Sequence, residues 1–171
     1  MTGAVASLVL AGAAFAYLGV LSIVLVIIDL RAHRLPNRVV LPGYAVALLL
    51  FAAASTLDGH PARLLRAVAG MAILFACFFA MRLASPASLG GGDVKLAGLL
   101  GLYFGWIGWG GLVIGTAAAF LIGGAQAIAL ILLRRADRRS RIAFGPAMLG
   151  GAWVAIAMAA LPNVTSWPSG V

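Results

Sequence analysis

The sequence predicts an all-α, polytopic membrane protein with about six transmembrane helices and both termini on the non-cytoplasmic side. Three observations lead there. Of 171 residues, 64% are hydrophobic and 9% charged, against roughly 25% charged in a typical soluble domain. Five long runs carry no charge, and the cations collect in alternate gaps between them. The same composition excludes a disordered chain or a nucleic-acid-binding arm and argues against a soluble globule. The net charge of +8 is spread between apolar runs and forms no single basic patch. The length suits one domain, taken as residues 1–171.

The first run, Met1–Ile28, has no basic leading segment and is longer than a signal-peptide core, so it is expected to remain as span one. Val39–Leu57 supplies span two. Ala67–Met81 supplies span three, extended by Leu64 and Leu65 if Arg66 snorkels its charge toward the interface. Leu96–Leu133 is uncharged for 38 residues. As one helix it would reach roughly 57 Å, far beyond a hydrocarbon core of about 30 Å. Gly108-Trp109-Gly110-Gly111 near its middle divides it into spans four and five. Ile142–Val171 supplies span six.

Orientation follows from the bias of Lys and Arg toward cytoplasmic loops. The gaps after spans one, three and five hold Arg31, Arg34, Arg38, Arg82, Lys95, Arg134, Arg135, Arg138, Arg139 and Arg141, ten of the twelve cations. Arg63 and Arg66 remain for the other side. The arginine loops are expected to meet anionic lipid, with an acidic residue of a substrate as the alternative. Lys95 is expected to reach lipid headgroups. The lone Cys77 falls inside span three and reads as packing; His33 and His60 fall on opposite sides of the membrane. Neither metal nor cofactor is expected.

The chain holds four carboxylates and no Glu. Asp58 lies in Leu57-Asp58-Gly59-His60-Pro61, which is turn chemistry. Asp137 sits among five arginines and relieves their repulsion. Asp29 and Asp93 differ: one closes span one, the other opens span four after Leu89-Gly90-Gly91-Gly92, and both fall at the cytoplasmic end. Ionisable groups at membrane depth point to function, and each is the natural partner of the other. The bland alternative is a pair of headgroup-level acids that happen to terminate helices.

Span four is short, and an interfacial Trp109 would draw its start, with Asp93, below the inner surface. Irregular glycine backbone at that depth is tolerated where it is buried in protein or lines a wet cavity. Two aspartates across a water can hydrolyse a peptide bond, one ionised as base, the other protonated to polarise the carbonyl. Asp29 at a helix C-terminus is expected to be the more readily protonated, Asp93 near a helix N-terminus the less. Ala97, Gly101 and Gly105 share a face with Asp93 that could receive span one or a substrate helix, or serve packing alone. Gly111, Gly115, Ala119 and Gly123 form a packing stripe on span five. Asn37 is a plausible N-cap for span two, while Pro42 suggests instead a start near residue 41.

Three segments together resemble the type IV prepilin peptidases, membrane aspartyl proteases, in the short form similar to those of Flp/Tad pilus systems. Asp29-Leu30-Arg31-Ala32-His33-Arg34-Leu35-Pro36-Asn37 resembles the family's aspartate followed by hydrophobic-Pro-Asn. Gly90-Gly91-Gly92-Asp93-Val94-Lys95 is similar to its GxGD-x-K signature, and Ile142-Ala143-Phe144-Gly145-Pro146 to its Phe-Gly-Pro segment. The resemblance covers roughly residues 15–160. It implies Asp29 and Asp93 as the catalytic pair, with Pro36, Asn37, Gly90, Gly92, Lys95, Gly145 and Pro146 in support. It further implies removal of a short basic leader from prepilins at the cytoplasmic face of a bacterial inner membrane.

Larger members carry a Cys-x-x-Cys insertion that this sequence lacks, so zinc is not expected and methyl transfer is in doubt. The exposed glycine stripes permit a homodimer. The competing readings are a non-catalytic membrane assembly or transport subunit and a presenilin-like general intramembrane protease. Depth separates the proteases: carboxylates one to two turns below the surface favour leader removal, and carboxylates near the midplane favour cuts within helices.

Overall fold

Among the described residues six α-helices follow one another: α1 (Thr2–Ala32), α2 (Asn37–Asp58), α3 (Pro61–Ala84), α4 (Gly91–Ile107), α5 (Trp109–Leu132) and α6 (Gly145–Ala160). This computed structural model describes residues 2–32, 35–85, 89–133 and 144–161, and no strand occurs among them. The expected features at His33, Arg34, the arginine cluster 134–141 with Asp137, and Ile142-Ala143 lie outside the described residues. Helices α1, α2, α3 and α5 are each long and apolar enough to cross a membrane. They turn Leu8, Leu49, Leu65 and Leu121 outward at 70–74% exposure, a surface suited to lipid and costly in water.

The helices exceed the uncharged runs at their polar ends. Helix α3 begins at Pro61, where the fixed φ and missing N–H of proline suit a first turn, and so takes in Arg63 and Arg66. Helix α2 begins at Asn37, after Pro36 in an extended conformation. Neither expected start holds: Asn37 is inside the first turn with no capping side chain before it, and Pro42 is within the helix. Between α2 and α3, Gly59 adopts φ 70°, and Asp58 pairs with Arg63 at 2.8 Å. The turn reading of Asp58 holds.

The long run is indeed broken at Gly108, whose φ of 150° disfavours any residue with a side chain. The first product, α4, has 17 residues, about 26 Å. Every residue from Leu96 to Gly105 is buried. A helix apolar on all sides belongs in a core, and α4 is the central helix, packed by α2, α3, α5 and α6. Enclosed by protein, it has no need to match the bilayer alone.

Small residues set the spacing. A Cβ on Gly101 would strike the carbonyl of Gly70, and one on Gly105 the carbonyl of Arg66, so α3 and α4 touch backbone to backbone. Ala97 is buried beside Leu74 and Phe78 of α3 at a small apolar cavity. The Ala97-Gly101-Gly105 face is therefore filled by α3, and neither span one nor a substrate helix occupies it. The stripe on α5 does pack: a Cβ on Gly151 of α6 would lie 2.5 Å from the Ala119 nitrogen and 2.6 Å from the Gly115 oxygen. Such close approach drives helix association where lipid supplies no hydrophobic gain.

Polar bonds fix the remaining neighbours. Tyr103 Oη donates to the Ala14 carbonyl at 3.0 Å, joining α4 to α1. Trp153 Nε1 donates to Ser22 Oγ at 3.3 Å, and Ser22 Oγ to the Leu18 carbonyl at 2.7 Å, joining α6 to α1. Arg66 donates Nε to the Gly105 carbonyl at 2.7 Å and Nη2 to the Trp106 carbonyl at 3.2 Å. A cation from α3 thus satisfies the last carbonyls of α4, at the end where the helix dipole is negative.

Candidate active site

Asp29 lies on the last turn of α1 and is 4% exposed. A buried carboxylate needs compensation, and part of it comes from the start of α6: the Gly145 N–H donates to Asp29 Oδ2 at 3.1 Å. Gly145 is the first residue of α6, so the positive end of that helix faces Asp29. A Cβ there would sit 2.5 Å from the same oxygen. The Phe-Gly-Pro segment fits this geometry, with glycine admitting the carboxylate and Pro146 occupying the first turn without needing a donor.

Asp93 is the third residue of α4. Its Oδ2 accepts the Gly90 N–H at 3.0 Å, while its own N–H donates to the Gly90 carbonyl at 3.2 Å. This reciprocal arrangement seats the side chain at the helix start. Asp29 and Asp93 come close enough for their charges to act on one another. Both carboxylates therefore face a helix N-terminus. Asp29 ends α1, and the start of α6 also faces it.

The chain after α1 makes the join. Leu35 lies on Gly92, where a Cβ would come 2.7 Å from the Leu35 Cβ. Lys95 Nζ donates to Asn37 Oδ1 at 2.6 Å, and Tyr44 Oη donates to the Lys95 carbonyl. Lys95 is thus turned to Asn37 of α2 and not outward to a headgroup. Its position about 200° around the helix from Asp93 explains this.

Of the residues singled out in the sequence, Asp29, Asp93, Asn37, Gly90, Gly92, Lys95, Gly145 and Pro146 gather at this end, with Pro36 preceding α2. Ala97, Gly101 and Gly105 do not join them. The sequence marks Arg82 as a topological cation only. Its Nη1 donates to the Leu89 carbonyl at 3.1 Å and its charge reaches Asp93. The signal was available: Arg82 is the cation in the last turn of α3, just before the glycine run.

Comparison with known proteins identifies the family. The model of the type IV leader peptidase family matches residues 15–128. The prepilin leader peptidase/N-methyltransferase of Aeromonas hydrophila is 32% identical over 149 residues, 85% of this chain and 48% of that protein. The protein of the same name from Pseudomonas aeruginosa is 30% identical over 133 residues, 76% of this chain and 44% of its own. The chain spans about half the length of these relatives. No solved structure shows a significant match.

Proposed function

The chain belongs to the type IV leader peptidase family, and from that membership we propose that it is a membrane-embedded aspartic endopeptidase. Its substrates are prepilins of the Flp type, from which it removes the short basic leader just before the hydrophobic helix. The observation that carries this reading is that Asp29 and Asp93 lie at the same end of the bundle, each held by a backbone N–H at a helix start. Asp29 is three residues from the end of α1 and Asp93 two from the start of α4. Both lie within about one turn of the helix ends, which favours cleavage at the membrane face over cleavage at the midplane.

In this mechanism the ionised aspartate takes a proton from a water, whose hydroxyl adds to the scissile carbonyl carbon. The protonated partner gives its proton to the carbonyl oxygen. Collapse of the tetrahedral diol breaks the C–N bond as the leaving nitrogen is protonated, and the pair again shares one proton. The proposed setting is the inner membrane of a bacterium, the site at the cytoplasmic face and both termini opposite, with residues 1–171 as one peptidase unit among membrane lipids. The relatives' name joins a peptidase to an N-methyltransferase; the proposal covers the peptidase alone.

The test is cleavage of a Flp-type prepilin by the purified chain in lipid nanodiscs. The parent is expected to release the leader, and Asp29→Asn and Asp93→Asn, folded by helical content and thermal unfolding, to release none. Cleavage by either folded variant would end the aspartic-protease reading.

A further inference from the structure

Asp29 and Asp93 reach the site on different helices, α1 and α4. One polar link between α1 and α4 is the bond from Tyr103 Oη to the Ala14 carbonyl. Ala14 is 15 residues from Asp29, about 22 Å along the helix, so that bond anchors the far end of the bundle. At the near end the join runs through the segment that leaves α1 and starts α2. Leu35 rests on Gly92, Asn37 accepts from Lys95 at 2.6 Å, and Tyr44 Oη donates to the Lys95 carbonyl. Each of these residues lies within seven positions of Leu35-Pro36-Asn37 or five of Asp93.

We propose that Asn37 and Lys95 are positioning residues for the aspartate pair, their hydrogen bond clasping the segment that follows Asp29 to the helix that carries Asp93. Lys95 touches neither carboxylate in this role. Its ammonium points to α2, and the Asn37 amide oxygen receives it as a neutral acceptor. A carboxylate at position 37 would also serve as acceptor. Leu35 on Gly92 fixes how near the two segments come, and Tyr44 fixes their angle. The Lys95–Asn37 bond fixes the slide of one along the other, the displacement that would carry Asp93 past Asp29. An exposed hydrogen bond adds little to stability, so the clasp acts on geometry, and misplacing a catalytic group by about 1 Å costs up to about 100-fold in rate.

The inference rests on the proposed peptidase activity, so one readout uses prepilin and another does not. In prepilin cleavage, Asn37→Ala and Lys95→Met are each expected to lower kcat about tenfold with KM unchanged. The double variant is expected to be no worse than either single one, because both remove the same bond. Asn37→Asp, which keeps an acceptor for Lys95, is expected to stay within about threefold of the parent, a rescue that loss of folding would not show.

In hydrogen exchange of the uncleaving full chain in nanodiscs, Lys95→Met is expected to speed exchange across residues 35–40, and Asn37→Ala across 91–95. Multiplicative losses in the double variant, a rise in KM alone, or parent-like exchange in both segments would overturn the clasp. A parent chain that cleaves no prepilin, with reciprocal exchange changes intact, would leave the clasp standing and sink the peptidase reading instead.

Discussion

Gly145→Ala puts the proposed pair under the smallest perturbation that geometry allows. The added Cβ would lie 2.5 Å from Asp29 Oδ2 and 3.2 Å from its Cγ, where ordinary contact begins at 3.4 Å. About 0.9 Å of separation must be found, either by lifting the start of α6 or by turning the Asp29 side chain. Either motion breaks the 3.1 Å bond from the Gly145 N–H, since donor and methyl sit on the same residue. A catalytic group displaced by about 1 Å costs up to about 100-fold, so kcat should fall between tenfold and 100-fold.

Alanine is the better helix former by up to about 1 kcal/mol, so a loss of activity here is not a loss of helix. The assay is prepilin cleavage alongside thermal unfolding, with Gly12→Ala and Gly124→Ala as controls, since a Cβ at either meets nothing within 4 Å. Both controls should match the parent. A folded Gly145→Ala chain with parental kcat would refute the claim that α6 seats a catalytic Asp29.

Arg82→Gln removes a charged donor from the Leu89 carbonyl and a cation from the surroundings of Asp93. A charged hydrogen bond of about 1.5 kcal/mol corresponds to about tenfold in rate, so kcat should fall by that factor and Arg82→Lys should recover part of it. Arg66→Gln acts at the other end of the bundle, where two carbonyls of α4 lose their charged donor. It should lower stability by about 3 kcal/mol, read as an earlier thermal unfolding transition in nanodiscs, while kcat of the folded fraction stays parental.

The two aspartates were legible in the sequence for a simple reason: in a chain almost without carboxylates, an acid at the end of an apolar run has no bland neighbours to hide among. The break at Gly108 was legible because a 38-residue run is too long for one crossing, and the packing stripes because small residues four apart share a face. The roles of particular contacts were not. Lys95 read as a headgroup ligand, since nothing in its neighbourhood of sequence marks Asn37, 58 positions away, as its acceptor. The Ala97-Gly101-Gly105 face could have taken several helices; that α3 takes it depends on Gly70 coming level with Gly101, a matter of register between two helices that the sequence of either one does not set. The centrality of α4 was written in its all-round apolar sequence, but the same run also fits a short lipid-facing span.

The backbone donor to Asp29, which the sequence marks only through its Phe-Gly-Pro segment, follows from the way the site is built. Both carboxylates accept from backbone N–H groups, Gly145 for one and Gly90 for the other. Such donors leave no residue type in the sequence to search for, and unlike a lysine or histidine they neither titrate nor swing. They hold each acid at a helix N-terminus in an environment where fixed dipoles act strongly. The requirement they impose is one of space: the carboxylate must approach the main chain, which glycine permits at 145. At Gly92 the same tolerance lets Leu35 close over the start of α4. In this chain the glycines around the aspartates are therefore the counterpart of the hydrogen-bonding side chains that position acids in other sites. Substitutions there should act on rate through displacement, with a cost that scales with the size of the added group.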